Sequence, residues 1–361
     1  MLKNSIVVST ISIAFLLVVL NCNPNKSIIS YFKEFDILKP ESVLPLNDLY
    51  FKFARISELN DSTLIITARS ISHTSGNSLI YFISKNTGSI IREIGPSGRG
   101  PAELMGVFST SILKNEIIFY DPISYKILKY NFIRDSSNYQ SFKIKKEYII
   151  DYLSVIDSNK YILLGLFKGK MFNYLNLETG EEFVNIDYPK LQNQQDADSK
   201  KTGFLSYSAF PGSLIKRPEH SSFAFYSSTS ELIQIIEVIG NMIIGKKQIL
   251  YDLPVGNIVF NQDAFIWGYN NKSKYCFIDG TASEKYLYLL YSGNYIRDKN
   301  SILSNCILVF DWNGNKIKKI DLDRKVFAIS VDSKDQELYA FSLNENTFKN
   351  ELLHYLLSAN Y

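Results

Sequence analysis

Ile117-Ile118-Phe119-Tyr120-Asp121-Pro122-Ile123-Ser124-Tyr125-Lys126-Ile127-Leu128-Lys129-Tyr130 is two short runs of β-branched, aromatic and aliphatic residues separated by a polar turn. Each run is too short for a helix of ordinary length, and Asp121-Pro122 supplies the turn chemistry that reverses a chain. The stretch predicts a β-hairpin. Working outward, the step from a polar turn into a compact β run recurs at 61–66, 115–120, 159–164, 221–226, 284–289 and 335–340, with starts about 55 residues apart on average. Each marks the second strand of a four-stranded unit. One such unit cannot cover both of its apolar faces, whereas units stacked radially cover each other and leave few open edges. The predicted fold is therefore all-β, a six-bladed β-propeller of four-stranded antiparallel blades. A β-sandwich is the alternative, and at this length it would need more strands per sheet than is usual.

The connections agree with this reading. Asn86-Thr87-Gly88, Glu178-Thr179-Gly180 and Asp311-Trp312-Asn313-Gly314 carry the Gly or Asn that tight hairpin turns require. Convincing amphipathic helices are nearly absent. Phe348, Leu352, Leu353, Leu356 and Leu357 would share a helix face, but 352–357 also reads as a buried strand, and strand is preferred. The polar stretch 192–201 between the third and fourth units predicts an exposed loop.

Composition narrows the function. The chain has 361 residues, 46% hydrophobic and 21% charged, enough to bury a large core. A formal charge of +3 lacks the basic surface that phosphate-backbone binding needs, so no nucleic acid partner is expected. His73, His220 and His354 and three scattered cysteines form no spaced ligand set, and no nucleophile elbow, zinc helix or P-loop occurs. No cofactor is expected. Some propellers hold calcium in the central channel with acids from several blades, and Asp121 and Asp311 close comparable strands. Glu181-Glu182 and Asp196/Asp198 are neighbouring acids that a solvated loop explains. Tyr 24 and Phe 24 against Trp 2 suits both half-buried sheets and sugar- or protein-binding surfaces.

Residues 1–21 read as an export signal, with Lys3 ahead of an apolar stretch from Ile6 to Leu20 that is shorter than a membrane-spanning helix requires. Val19-Leu20-Asn21-Cys22 resembles the lipobox of bacterial lipoproteins, in which the cysteine is acylated and becomes the mature N-terminus. Asn21 stands where that pattern usually has a smaller residue. The expected organisation is a signal at 1–21, a lipid-anchored tether and lead-in at 22–44, and one propeller domain at 45–361. The tether carries no acidic run of the kind that resembles a surface-export tag, which favours an outer-membrane lipoprotein facing the periplasm. Cys276 and Cys306 could pair in an oxidising compartment, yet each sits in an apolar run where a thiol acts as a small hydrophobe.

The most specific motif is Arg92-Glu93-Ile94-Gly95-Pro96-Ser97-Gly98-Arg99-Gly100-Pro101-Ala102-Glu103-Leu104. With the hairpin that follows, it resembles the inter-blade signature of NHL-type propellers, and more closely the six-bladed TolB-like propeller lipoproteins of Gram-negative gut bacteria. That resemblance implies the fold and an envelope location rather than a defined activity. Physically, Gly95, Gly98 and Gly100 permit a sharp crossing between blades and Pro101 fixes φ as the chain goes on to the next strand. The loop should share a face with the turn at Asp121-Pro122. Arg99, Glu103 and Asp121 are the candidate binding residues of that face, against a plainer reading in which the two acids anchor backbone amides. The expected function is a non-catalytic, monomeric envelope lipoprotein whose propeller face binds a protein or glycan partner. The alternative is a propeller enzyme, either a metal-dependent lactonase-like or a glycan-degrading hydrolase.

Overall fold

The computed structural model describes residues 27–46, 50–74, 76–142, 144–191, 199–261, 264–344 and 349–357. The expected signal and Cys22 lie outside them. Among the described residues, six four-stranded antiparallel units follow one another along the chain. Blades 1 to 4 span 54–96, 109–141, 148–187 and 212–250, blade 5 spans 277–322, and blade 6 runs from 326 to 356. All six sequence anchors fall on the second strand of their blades. The reason is visible in burial: Thr63–Ala68 is buried at every position, as are all but the first residues of Glu116–Asp121 and Tyr286–Tyr291. A strand covered on both faces by neighbouring blades reads as a continuous apolar run. Outer strands do not, and Ser136–Ser141 is exposed throughout while Glu182–Asp187 alternates.

Apolar layers fill the seams between blades. Ile118 and Tyr120 of blade 2 meet Tyr161 and Leu163 of blade 3, and Ile162 and Phe172 meet Phe223 and Phe225 of blade 4. Tyr226 and Ile233 then meet Phe277 and Leu289 of blade 5, and Tyr288 and Ile307 meet Ile329 and Leu338 of blade 6. A cluster holding Phe341, Ile65, Tyr81 and Phe119 joins blade 6 to blades 1 and 2. These radial layers replace the single slab of a sandwich.

The ring is closed by the N-terminal segment. Ser42–Pro45 pairs antiparallel with Asn350–Leu356 and supplies the outermost strand of blade 6, with Val43 opposite Leu353. Phe35–Leu38 adds in parallel to Lys316–Val331, the long strand that bends from the outside of blade 5 into the inside of blade 6. Pairing therefore starts at Phe35, ten residues before the domain start read from sequence, and Ile28 is fully buried in the layer between blades 4 and 5. The buried Glu231 carboxylate accepts the Ile28 amide at 3.0 Å, the Ser27 hydroxyl at 3.1 Å and the Tyr291 hydroxyl at 2.6 Å, which docks the start of the described chain. Across the blade 6 to blade 1 seam, the buried Asn350 amide brackets the Phe51 backbone, accepting its N–H at 2.5 Å and donating to its carbonyl at 3.1 Å. On the face with the turns that join each blade's first two strands, buried Lys85 pairs with Glu58, lies 3.7 Å from Glu337 and sits over the Tyr339 ring.

Two sequence expectations change here. Residues 199–201 of the expected exposed loop open a helix, α1 (Ser199–Ala209), while 192–198 lie outside the described residues. Its only same-face apolar pairs are Phe204/Tyr207 and Leu205/Ala209 in its second half, too short a run to read as a helix, and Gly203 and the intervening serines dilute the pattern. Pro101 does not lead into a strand: it sits in the turn closed by the Glu103 amide on the Gly100 carbonyl (3.2 Å), and the next strand begins at Ser109. Asn350–Leu356 is a strand, as preferred from sequence. Cys276 and Cys306 are both free thiols, packed in or against the layer between blades 4 and 5.

Candidate functional site

In each blade the turn between the second and third strands and the crossing to the next blade lie at the same end, so one face of the ring, here called the mouth, collects both sets of loops. The inner strands begin there. Ala54–Asn60, Tyr148–Asp157, Gly212–Lys216, Phe277–Ala282 and Lys316–Val331 bring Arg55, Asp151 and Tyr152, Ser213, Asp279 and Phe327 around a cavity of about 400 Å³. Its outer wall is formed by Arg69 and Phe108, by Tyr207 and Ser208 of α1, and by Ser228 and Tyr275. The helix is held in place by a hairpin, Asn257–Asn261 and Ala264–Gly268, whose Trp267 amide donates to the Ser208 hydroxyl at 2.8 Å.

The polar groups of this cavity are interlocked. Arg55 and Arg69 each donate through Nη2 to the Tyr152 hydroxyl at 3.2 Å, and Arg55 also donates to Ser213 Oγ. Arg55 stacks over the Tyr152 ring at 5.0 Å and Arg69 over Phe108 at 5.7 Å. Tyr207 donates to Asp151 Oδ1 at 3.0 Å, and Asp279 Oδ2 accepts the Ile329 amide at 2.9 Å. Burial pushes the Asp151 carboxyl up to about 6, against the opposing hydrogen bond from Tyr207. Burial also raises Asp279, with Arg55 opposing. For Tyr152 burial again pushes upward, but Arg55 and Arg69 outweigh it and hold the phenol below its usual value, which reports a concentrated positive field. The Tyr226 hydroxyl, on a side chain only 1% exposed, makes no hydrogen bond. Among the described residues no three His, Cys, Asp or Glu side chains converge in a way that could hold a metal ion.

The residues singled out from sequence sit on the same face but in another place. Gly95 takes a φ of +67°, and a Cβ on Gly98 would collide with the Glu103 carboxylate, so both glycines are needed where they stand. That carboxylate accepts the Gly100 amide at 2.6 Å. Asp121 is fully buried and accepts the amides of Met105, Ile123 and Ser124 as well as the Ser124 hydroxyl. Buried Lys126 donates to the carbonyls of Gly100 (2.6 Å) and Glu103 (2.7 Å), and Leu104 plugs the loop into the core. Crossing and turn are thus tied together on one face. Arg99 is exposed, and none of Arg99, Glu103 and Asp121 lines the cavity. Asp311 is likewise engaged in its own turn by the Asn313 and Asn315 amides.

The cavity residues escaped the sequence reading because they come from five separated strands. A signal does exist: Arg55, Asp151, Ser213 and Asp279 are polar residues five to eight positions ahead of four of the six anchors, where an inner strand would otherwise be apolar.

Ring and mouth together define a six-bladed propeller with a single-ended polar cavity at its channel. The TolB-like 6-blade propeller-like family model matches residues 32–334, and the chain belongs to this family. An exported protein of Bacteroides fragilis NCTC 9343 shares the fold at 15% identity and TM-score 0.53, over 90% of this chain and all of that one. A duf4221 family member from Bacteroides vulgatus ATCC 8482 does so at 13% identity and TM-score 0.56, over 89% of this chain and 97% of that one. A gluconolactonase from Xanthomonas campestris is similar at 9% identity and TM-score 0.51, over 88% and 89% of the two chains. The comparison with curated proteins finds no match.

Proposed function

We propose that the protein is a non-catalytic binding module of the cell envelope that takes the end of a glycan into the mouth cavity. The observation that carries this reading is the cavity itself: about 400 Å³, walled by Phe108, Phe327, Tyr207 and Tyr275 and lined by arginine, serine and tyrosine donors. Aromatic faces with a few convergent polar groups suit a sugar ring, whereas a protein partner would need a broad surface rather than an enclosed pocket. The envelope address is supported by the apolar segment at 6–20, by Cys22 after it, and by the exported relative from Bacteroides fragilis. In this reading Cys22 carries the lipid, the mouth faces the periplasm, and exposed Arg99 meets the part of a longer ligand that extends beyond the cavity.

The test is a panel of neutral and charged oligosaccharides titrated against the full chain, purified in detergent, beside the variant Ser228→Trp. Binding that is lost in Ser228→Trp, with an unchanged melting temperature, supports the cavity; binding that persists refutes it. The enzymatic reading rests on one observation, Asp151 pushed up to about 6 beside Tyr207, which is the range of a general acid near neutrality. Release of shortened products by the wild type, abolished in Asp151→Asn, would establish it over simple binding.

A further inference from the structure

We propose that the ligand enters the mouth cavity by a carboxylate, as on an acidic sugar, held between Arg55 and Arg69. This deepens the glycan reading and rests on it. The argument begins with what the two guanidinium groups lack. Each carries five N–H donors, and neither has a carboxylate oxygen within ion-pair distance among the described residues, although both line an enclosed wall. Cations taken out of water without a counter-charge are costly, and proteins ordinarily pair them. Here neither nearby acid makes a direct ion pair: Asp279 attracts both arginines from a distance while its Oδ2 is held by the Ile329 amide, and Asp151 is turned to Tyr207. The second observation is that the Tyr226 hydroxyl lines the same cavity, buried and close to Arg55 and Ser213 yet without a well-formed hydrogen bond to either. A buried polar atom in that condition is costly unless something bonds it.

One group satisfies these needs together. A planar carboxylate accepts from the arginine forks in matching geometry and offers lone pairs to a phenol donor. Phosphate monoesters share the oxyanion chemistry, but the two acids in the wall weigh against a doubly charged group and favour a singly charged one. The aromatic wall then covers the sugar ring.

Glucuronic acid, glucose and inorganic phosphate serve as probes in calorimetric titrations of the full chain in detergent. The proposal expects glucuronic acid to bind at least tenfold more tightly than glucose. Arg69→Gln should remove that preference, bringing glucuronic acid down to the affinity of glucose, and Tyr226→Phe should weaken glucuronic acid about fivefold with no loss of melting temperature. Because Arg55→Gln could fail to fold, Arg69→Gln and Tyr226→Phe decide the matter. Equal affinity for glucose and glucuronic acid would overturn the carboxylate assignment and leave the glycan reading standing. Phosphate binding more tightly than glucuronic acid would overturn the assignment in favour of a general oxyanion site. Failure of every sugar to bind would overturn both readings.

Discussion

Buried Lys85 and the half-buried Arg55/Arg69 pair are cations at opposite ends of the same ring, and they are treated in opposite ways. Lys85 meets Glu58, has Glu337 at 3.7 Å, and lies over Tyr339 at 4.8 Å, so that its charge is answered from two blades. At the mouth the two guanidinium groups make no direct ion pair: they bond a neutral hydroxyl and lie over ring faces, with buried Asp279 attracting Arg55 from farther away. A cation with its counter-charge in place is a staple across the blade 1 to blade 6 seam. A pair with no carboxylate in direct contact keeps donors open to a ligand, which is the basis of the proposal above. The difference teaches that burial of charge alone does not mark a functional site, whereas the completeness of its partners does.

The contrast breaks most visibly if Lys85 is removed. Lys85→Ala leaves Glu58 uncompensated in the seam, and chemical denaturation should show a loss of about 3 kcal/mol; a loss below about 1 kcal/mol would mean that the pair is not a staple. The mouth should respond with the opposite sign. Asp151 has its carboxyl raised from the ordinary 3.8 to about 6 by burial, so the folded state binds its proton more tightly than the unfolded chain. Its contribution to stability is complete below about pH 4 and is lost as pH rises through 6. The groups facing it, Tyr207, Tyr152, Tyr188 and Tyr120, do not titrate in that window. Asp151→Asn should therefore stabilise the protein by about 2 kcal/mol at pH 7.5 and by almost nothing at pH 4, measured by urea unfolding at both values. A stabilisation independent of pH would show that the carboxyl is not held out of water. The smallest effect belongs to Arg69→Gln without ligand, which should change stability by less than about 0.5 kcal/mol because no ion pair is broken. A cost like that of Lys85→Ala would erase the contrast.

Sequence and structure agree where burial is two-sided. The second strands, such as Thr63–Ala68 and Tyr286–Tyr291, announce themselves because both faces are covered and most positions are apolar or β-branched. Blade number and the hairpin at Asp121 follow from them. The closing strands were hidden for the opposite reason: Ser42–Pro45 and Phe35–Leu38 lie at the outside of blades, with only partial burial, and their partners are some 300 residues away. Helix α1 was hidden because its apolar residues are few, confined to its second half and interrupted by serines. The glycine-rich crossing was conspicuous because its local geometry is demanding, and its acids turn out to serve that geometry. Arg55, Tyr152, Ser213, Tyr226 and Asp279 each look ordinary in their own strands, and only the ring brings them within reach of one another.

The docking of Ser27 and Ile28 onto Glu231 fixes where the chain leaves the ring. Glu231 ends the same turn that gives Ser228 to the cavity wall, so the exit is on the mouth face. On the proposed Cys22 anchor, four residues separate Cys22 from Ser27, five steps of chain and so a leash of at most about 18 Å when fully drawn out. Such a leash holds the mouth close over the bilayer. A ligand would then be met in a thin slot rather than from open solution, and molecules rooted in the same membrane would be presented to it at high local concentration.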